Sequence, residues 1–192
     1  MITAIILAAG ESKRMGQPKM LLPWGKSTVL QTVIAEFQAA GVKDVLVVTG
    51  AARKQVEELV GQSAQTVFNE NYAEGGMLSS VQAGLAAKKH EAQAAFIALG
   101  DQPQVQRRTV ERILQEYLAR KPLIIVPSYR MKRGHPWLIA RVLWDEILKM
   151  KAPQTPRDFI NAHAREIAYV NVDTPSIFED VDTYDEYLNS RP

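Results

Sequence analysis

Positive charge and glycine are concentrated in one loop, "LAAGESKRMGQPKMLLPWG", which continues from the apolar run "AIIL" near the N-terminus. Lys13, Arg14 and Lys19 supply cations there, and an arginine can hold a phosphate through two hydrogen bonds. Gly10 and Gly16 allow backbone N–H groups to turn towards an anion. These residue types favour a phosphate-binding loop, with a solvated basic turn as the alternative.

Two familiar phosphate-loop signatures do not account for this loop. The dinucleotide fingerprint G-x-G-x-x-G is absent, because no glycine stands two residues after Gly10. The run "GKS" at Gly25–Ser27 resembles the end of a Walker A loop, but that loop needs a glycine where this chain has Met20. We therefore exclude both signatures.

An acidic residue follows a second apolar run. Asp101 stands in "GDQP", directly beyond "AAFIAL". Mg²⁺ is usually held by one or two carboxylates together with substrate phosphates. Alone, the residue could belong to an ordinary turn before proline. Together with the basic loop, it indicates a triphosphate site that uses Mg²⁺ (or Mn²⁺).

The elements that must position these residues alternate between strand and helix patterns. Short apolar runs predict strands at Thr3–Ala9, Asp44–Gly50, 64–69, 123–129 and Ala94–Pro103, the last running into a turn. Helical spacing predicts helices at 29–41, 53–61, 77–89 and Arg107–Leu118, with Thr28 and Gln31 spaced as a capping box before the first. The alternation predicts an α/β fold, a three-layer α/β/α sandwich with a mostly parallel sheet. Ligands bind at the carboxyl ends of such strands, where both sequences above lie. The stretch from Tyr129 to Pro156 is less regular, and its structure is left open.

The composition excludes several classes of protein. The 192 residues suffice for one buried core, so we expect a single domain over residues 1–192. Cysteine is absent, which excludes disulfides, thiolate zinc sites and cysteine nucleophiles. The net charge of +2 comes without a dense basic stripe, so we expect no nucleic-acid partner. The N-terminal residues lack the pattern of a signal peptide, and no apolar run has the length needed to span a membrane, so we expect a soluble cytoplasmic protein.

The basic loop resembles the signature L-A-A-G-x-S-x-R-M-G-x-x-K-L-L-L-P of the MobA-like nucleotidyltransferases, especially the branch of molybdenum cofactor cytidylyltransferases. The similarity continues, in the family order, at "NENYAEGGMLSSVQAGL", "ALGDQP", "RGHPWLI" and "EDVDTYDEY". It implies a Rossmann-like nucleotidyltransferase fold. It also implies transfer of a nucleoside monophosphate from an NTP to a substrate phosphate, with release of pyrophosphate.

The resemblance also implies roles for individual residues. Arg14 and Lys19 would hold the triphosphate and stabilise charge on the α-phosphate, and Asp101 would bind the metal ion. Gly134 and His135 would lie near the acceptor substrate. Nucleotide binding is implied for Leu7, Ala8, Ala9, Gly10, Asn69, Gly76 and Ser80, of which Ala8, Ala9 and Gly10 would present backbone to the base and ribose.

Two features favour CTP over GTP. The run "SVQAGL", which begins at Ser80, is similar to the S-V-x-x-G-L of methylerythritol phosphate cytidylyltransferases, where the serine contacts cytosine. Ala9 stands where the related guanylyltransferases have a second glycine.

The C-terminal motif departs from the family. The family pattern resembles D-I-D-T-P-E-D-Y, and "DVDTYDEY" has Tyr184 in place of the proline. Its flanking residues favour Asp182 as the second metal ligand, with Asp180 and Asp173 in reserve. A solvated acidic segment is the alternative for all three.

The expected reaction moves CMP from CTP to the phosphate of molybdopterin or its molybdenum-loaded form. A phosphate monoester is already ionised at neutral pH, so no general base is needed. The alternatives are transfer to another phosphorylated small molecule, such as a sugar or polyol phosphate, or a non-catalytic role in binding and delivering the cofactor. A molybdoenzyme that receives the product is a possible partner.

Overall fold

The computed structural model describes residues 1–192, and its centre is an eight-stranded sheet. The strands are β1 (Ile2–Ala8), β2 (Pro23–Trp24), β3 (Ser27–Thr28), β4 (Asp44–Thr49), β5 (Gln65–Phe68), β6 (Ala94–Leu99), β7 (Ile124–Tyr129), β8 (Lys132–Arg133), β9 (Trp137–Ala140) and β10 (Ile167–Asn171). The helices are α1 (Val29–Ala39), α2 (Arg53–Val60), α3 (Gly76–Lys88), α4 (Arg107–Arg120), α5 (Trp144–Lys149), α6 (Pro156–Ala162) and α7 (Tyr184–Ser190). No helix combines the length and the apolar character needed to cross a membrane.

The strand order is β10-β7-β9-β6-β1-β4-β5, with β8 paired to β7. β4 and β6 flank β1 in parallel, and β5 and β10 extend the sheet in parallel at its two ends. β9 runs antiparallel between β6 and β7, while β2 and β3 form a separate hairpin. The predicted α/β fold with a mostly parallel sheet is confirmed.

β1 lies between β4 and β6, and helices cover both faces of this part of the sheet. Ala4 and Ile6 belong to the apolar cluster that includes residues of α1, α2 and α4, while Ile5 and Leu7 belong to the cluster that includes residues of α3, α5 and α6. A strand buried on both faces has a continuous apolar sequence, as this one does. Its carboxyl end delivers the basic loop to the same edge of the sheet as the residues that follow β6.

The predicted capping box before α1 is only half formed. Thr28 Oγ1 accepts a hydrogen bond from the Gln31 backbone N–H at 3.3 Å. The return bond from the Thr28 backbone N–H is missing, because Gln31 Oε1 accepts instead from the hydroxyls of Ser27 and Thr28 at 3.2 and 3.1 Å. Gln31 Nε2 donates to the carbonyl of Leu59 at 3.2 Å. Gln31 therefore ties α1 to the end of α2.

The segment that the sequence left open contains β8, β9 and α5. The four residues of β9 are buried and read as a plain apolar run, with no periodicity to show their direction. Trp144, at the start of α5, is fully buried and donates its indole N–H to the Ile139 carbonyl at 3.1 Å. The antiparallel position of β9 is set by its pairing with β6 and β7, which a local apolar pattern does not show.

A small third cluster fastens the C-terminal segment to the hairpin of β2 and β3. Its buried members are Leu22, Trp24, Val29, Val181 and Tyr187. The Tyr187 hydroxyl donates to the Pro23 carbonyl at 2.7 Å. Thr183 and Glu186 form a complete capping box at the start of α7. The acidic residues around position 182 consequently have a fixed backbone.

His163 follows α6 and lies between two carboxylates. Its Nδ1 is 2.7 Å from Glu166 Oε2, and its Nε2 is 3.0 Å from Glu146 Oε1. Burial alone would lower the pKa of His163, but the two carboxylates outweigh burial and raise the pKa above the ordinary 6.5. The imidazolium thus links α5 to the segment before β10.

We predict a pH-dependent loss of stability in the His163→Gln variant. Because the folded pKa exceeds the unfolded one, the stabilisation is complete below about pH 6.5 and disappears as the pH rises through the folded pKa. The free energy of unfolding, measured by urea denaturation, should therefore differ more between variant and wild type at about pH 5.5 than at about pH 8.5. His90→Gln, at an exposed site, is the control. An equal difference at both pH values would contradict the prediction.

Candidate active site

Lys19 is the centre of the charged group at the carboxyl edge of the sheet. It begins a short 3₁₀ turn, and its backbone N–H donates to Ser12 Oγ at 3.2 Å. Its side chain is only 12% exposed. The ammonium contacts the carboxylate of Asp101 and lies 2.9 Å from Asp182 Oδ1. Arg14 is 69% exposed and reaches the other oxygen of Asp182 at 2.7 Å.

Backbone contacts explain how two distant aspartates meet at one lysine. Asp101 comes two residues after the end of β6, and its carbonyl accepts a hydrogen bond from the Val181 N–H at 2.9 Å. Val181 is fully buried in the third cluster, so Asp182 is carried to the same place. Glu186 Oε2 then accepts the backbone N–H groups of Asp182 and Thr183 at 3.0 and 2.9 Å.

Lys19, Asp101 and Asp182 form an ion group in which the pKa of Lys19 and the pKa of Asp182 are both shifted. Burial opposes the charge of Lys19, but Asp101 and Asp182 outweigh it and raise the pKa of Lys19 above its ordinary value. Burial likewise disfavours the charged form of Asp182, but Lys19 and Arg14 lower the pKa of Asp182 overall. At neutral pH the site therefore contains two cations beside carboxylates, the charge pattern that binds a triphosphate with a metal ion.

The three C-terminal acidic candidates are separated by the structure. Asp182 belongs to the ion group described above. Asp173 is 67% exposed and pairs with Arg108 at 3.0 Å, so it lies outside the site. Asp180 lines a neighbouring cavity, and burial, followed by the charges of Asp182 and Asp101, raises the pKa of Asp180.

The donor set fits a metal ion that is also bound by phosphate. No group of three or more His, Asp or Glu side chains is arranged to hold a metal ion. Asp101 and Asp182, however, direct carboxylate oxygens at one ammonium group. One or two carboxylates are the usual protein contribution to a Mg²⁺ site completed by substrate phosphates, and Asp101 and Asp182 supply two.

A cavity of about 480 Å³ opens beside the ion group. It lies on the α3 face of the sheet, and Arg14, Lys19, Asp101 and Asp182 line it. The residues with an expected nucleotide-binding role that line it are Leu7, Ala9, Gly10, Gly76 and Ser80. The structure thus brings together most of the residues that the motifs singled out.

Ala8 and Asn69, expected at the nucleotide, do not line this cavity. Successive side chains of a strand point to opposite faces, so Ala8 packs into the core behind the face that presents Leu7. Asn69 is buried, and its Nδ2 donates to Ser80 Oγ at 3.0 Å. Asn69 therefore orients a lining residue from behind.

The cavity also contains residues that sequence reasoning assigned no role. Tyr72, Ala73 and Met77 line it from the loop after β5 and the start of α3. All three lie within the "NENYAEGGMLSS" part of the family motif, so the sequence indicated this segment. The motif does not show which of its side chains face the cavity. Gly16 adopts the expected positive φ of 66°, whereas Gly10 does not have a positive φ.

Gly134 and His135 lie in a second cavity, of about 600 Å³, which shares Leu99 with the first. A Cβ at Gly134 would collide with the backbone of Ile177, so close packing requires glycine there. The His135 ring stacks on Trp137 with centroids 4.3 Å apart. Burial, and then the charge of Arg157, lower the pKa of His135 to about 4. His135 is therefore neutral at physiological pH.

Comparison with known proteins identifies the family. Residues 4–167 match the model of the MobA-like NTP transferase domain. The chain belongs to this family. The resemblance stated from the motifs is confirmed, and this MobA-like protein is a nucleotidyltransferase.

Three relatives show how far the similarity extends. Molybdenum cofactor cytidylyltransferase of Escherichia coli is 30% identical, over 99% of this chain and 95% of that protein. Nicotine blue oxidoreductase of Paenarthrobacter nicotinovorans is 29% identical, over 96% and 94%. The crystal structure of Rv0371c from Mycobacterium tuberculosis has a TM-score of 0.86 and 30% identity, covering 98% of this chain and 95% of that one. Rv0371c has also been crystallised in complex with manganese.

We predict that the Asp182→Asn variant loses about 100-fold in turnover, because the carboxylate that Lys19 and Arg14 share loses its charge. Pyrophosphate release measures the loss, and circular dichroism checks that the fold is retained. Asp173→Asn, which changes an exposed carboxylate outside the site, should match wild type. Equal turnover in the two variants would contradict the assignment of Asp182.

Proposed function

We propose that the protein transfers CMP from CTP to the phosphate of molybdopterin or its molybdenum-loaded form, and releases pyrophosphate. The observation that carries the proposal is the partly buried ion group of Lys19, Asp101 and Asp182 at the edge of a cavity that adjoins a second one. The similarity to the cytidylyltransferase of Escherichia coli supports this choice of nucleotide and acceptor.

The chemistry requires that two polyanions approach each other. Lys19 and Arg14 offset the repulsion and stabilise the charge that develops on the α-phosphate. Because the acceptor phosphate is already an anion at neutral pH, no side chain has to remove a proton from it. The two adjoining cavities hold donor and acceptor side by side, so that positioning supplies a large part of the rate enhancement.

Asp101 and Asp182 would hold a Mg²⁺ or Mn²⁺ ion together with the triphosphate. Such an ion supplies charge neutralisation on the phosphates when bound. The manganese complex of Rv0371c supports a divalent cation in this family. In the protein alone, Lys19 offsets the repulsion between the two carboxylates, which keeps the donor oxygens close together.

The hydrogen bonding of Ser80 favours a pyrimidine as the base of the donor nucleotide. Its Oγ accepts a hydrogen bond from Asn69 Nδ2 at 3.0 Å, and no protein group accepts its hydroxyl proton. The hydroxyl can therefore donate into the cavity, where the pyrimidine ring of cytosine offers O2 and N3 as acceptors. Ala9, in place of the second glycine of guanylyltransferases, also favours CTP.

The test measures pyrophosphate release from each of the four NTPs with Mg²⁺, with and without molybdopterin. We expect release with CTP only when molybdopterin is present, and loss of release when EDTA removes the metal. The Asp101→Ala variant, which lacks a carboxylate beside Lys19, serves as the inactive control: it should fold but release almost no pyrophosphate.

Two outcomes would contradict the proposal. Release with CTP that occurs only with another phosphorylated acceptor would reject molybdopterin. Binding of CTP and molybdopterin without any release of pyrophosphate would favour a delivery protein over an enzyme for this acceptor.

A further inference from the structure

Two cavities beyond the nucleotide cavity share one wall. The second cavity, of about 600 Å³, and a third, of about 520 Å³, are both lined by His135 and Trp137. The second adjoins the nucleotide cavity at Leu99, and the third adjoins it at Gly76. The stacked rings of His135 and Trp137 therefore separate two spaces that an acceptor can enter.

Arg157 is the one charged residue that lines both of these cavities. It lies in the first turn of α6, is exposed and forms no ion pair. The neighbouring carboxylate of Asp158 does not form an ion pair with Arg157; its Oδ2 accepts instead from the N–H and the hydroxyl of Thr155 at 2.8 and 2.7 Å. The guanidinium is free to bind a ligand.

Two other basic side chains, Lys132 and Arg133, line the second cavity, but unlike Arg157 neither lines the third. Arg133 Nη1 donates to Asn161 Oδ1 at 3.1 Å, and its guanidinium lies over the ring of Tyr169. His135 is neutral and therefore cannot act as a cation. Its buried Nε2 has no protein hydrogen-bond partner.

The second cavity adjoins the nucleotide cavity at Leu99 and is lined by Asp180, two residues before Asp182 of the ion group. Arg157 lines the second cavity but is absent from the lining of the nucleotide cavity. An acceptor whose phosphate points to the ion group would therefore bring another part of its structure to Arg157.

We propose that Arg157 determines acceptor specificity by binding an anionic group of the acceptor other than the reacting phosphate. This inference rests on the proposed function, because it needs a second substrate beside the nucleotide. The acceptor class is a phosphorylated small molecule with a second anionic group and a planar part that can lie against the stacked rings of His135 and Trp137. Arginine suits this task because its planar fork can make two hydrogen bonds to one anionic group.

Steady-state kinetics with CTP and molybdopterin test the inference in wild type, Arg157→Ala and Arg157→Lys. We expect Arg157→Ala to raise the KM for molybdopterin about 10- to 100-fold, the range expected for a hydrogen bond to a charged group. The KM for CTP should stay within about 2-fold, because Arg157 does not line the nucleotide cavity. Arg157→Lys should recover part of the loss, since it keeps the charge but not the fork.

Arg165→Ala is the matched control. Arg165 follows the same helix, is exposed, and lines neither cavity. It should match wild type in both KM values. Thermal melting shows whether each variant is folded.

Residue-specific labelling with phenylglyoxal adds a readout that a purely structural role would not change. Molybdopterin should protect Arg157 from labelling, and CTP should not. CTP should instead protect Arg14, which lines the nucleotide cavity.

The contradicting outcomes separate the two claims. If wild type turns over molybdopterin and Arg157→Ala has the same KM for it, or if molybdopterin leaves Arg157 fully reactive, the role of Arg157 is wrong and the proposed function stands. If wild type releases no pyrophosphate with molybdopterin, the proposed function fails and this inference fails with it.

Discussion

The ammonium group of Lys19, held between Asp101 and Asp182, is the interaction on which the rest of the site depends. Two carboxylates this close repel each other unless a cation lies between them, and a largely buried charge is costly unless it is paired. The three side chains come from the loop after β1, the end of β6 and the segment before α7. One charge contact therefore joins three parts of the chain that are distant in sequence.

The packing of the fold makes this contact possible. β1 is buried on both faces, so its carboxyl end has one position relative to β6. Val181 is buried against the hairpin of β2 and β3 and donates its N–H to the Asp101 carbonyl, which brings the C-terminal segment to the same edge. The charges of the site thus rest on an apolar cluster whose members have no direct part in the chemistry.

Local patterns predicted the parts of the site that follow directly from a strand. Lys19 and Asp101 could be placed because parallel strands end at one edge of a sheet. The side chains of Ala8 and Asn69 do not line the nucleotide cavity, because Ala8 packs on the other face of β1 and Asn69 donates a hydrogen bond to Ser80. A motif shows neither the face of a strand nor a tertiary contact. The backbone role of Ala8 at the nucleotide stays a prediction. The proposed role of Arg157 could not be predicted from the sequence, because it rests on the two cavities that this residue lines and not on any local motif.

The most direct test of the central contact is a measurement of the pKa of the Lys19 ammonium by NMR of ¹⁵N-labelled lysine side chains. The signal is assigned by its absence from the Lys19→Met variant. We expect a pKa above the ordinary 10.5 in wild type and a lower value in Asp182→Asn, because one of the two counter-charges is gone. A pKa at or below 10.5 that does not change in Asp182→Asn would show that the lysine does not hold the two carboxylates together.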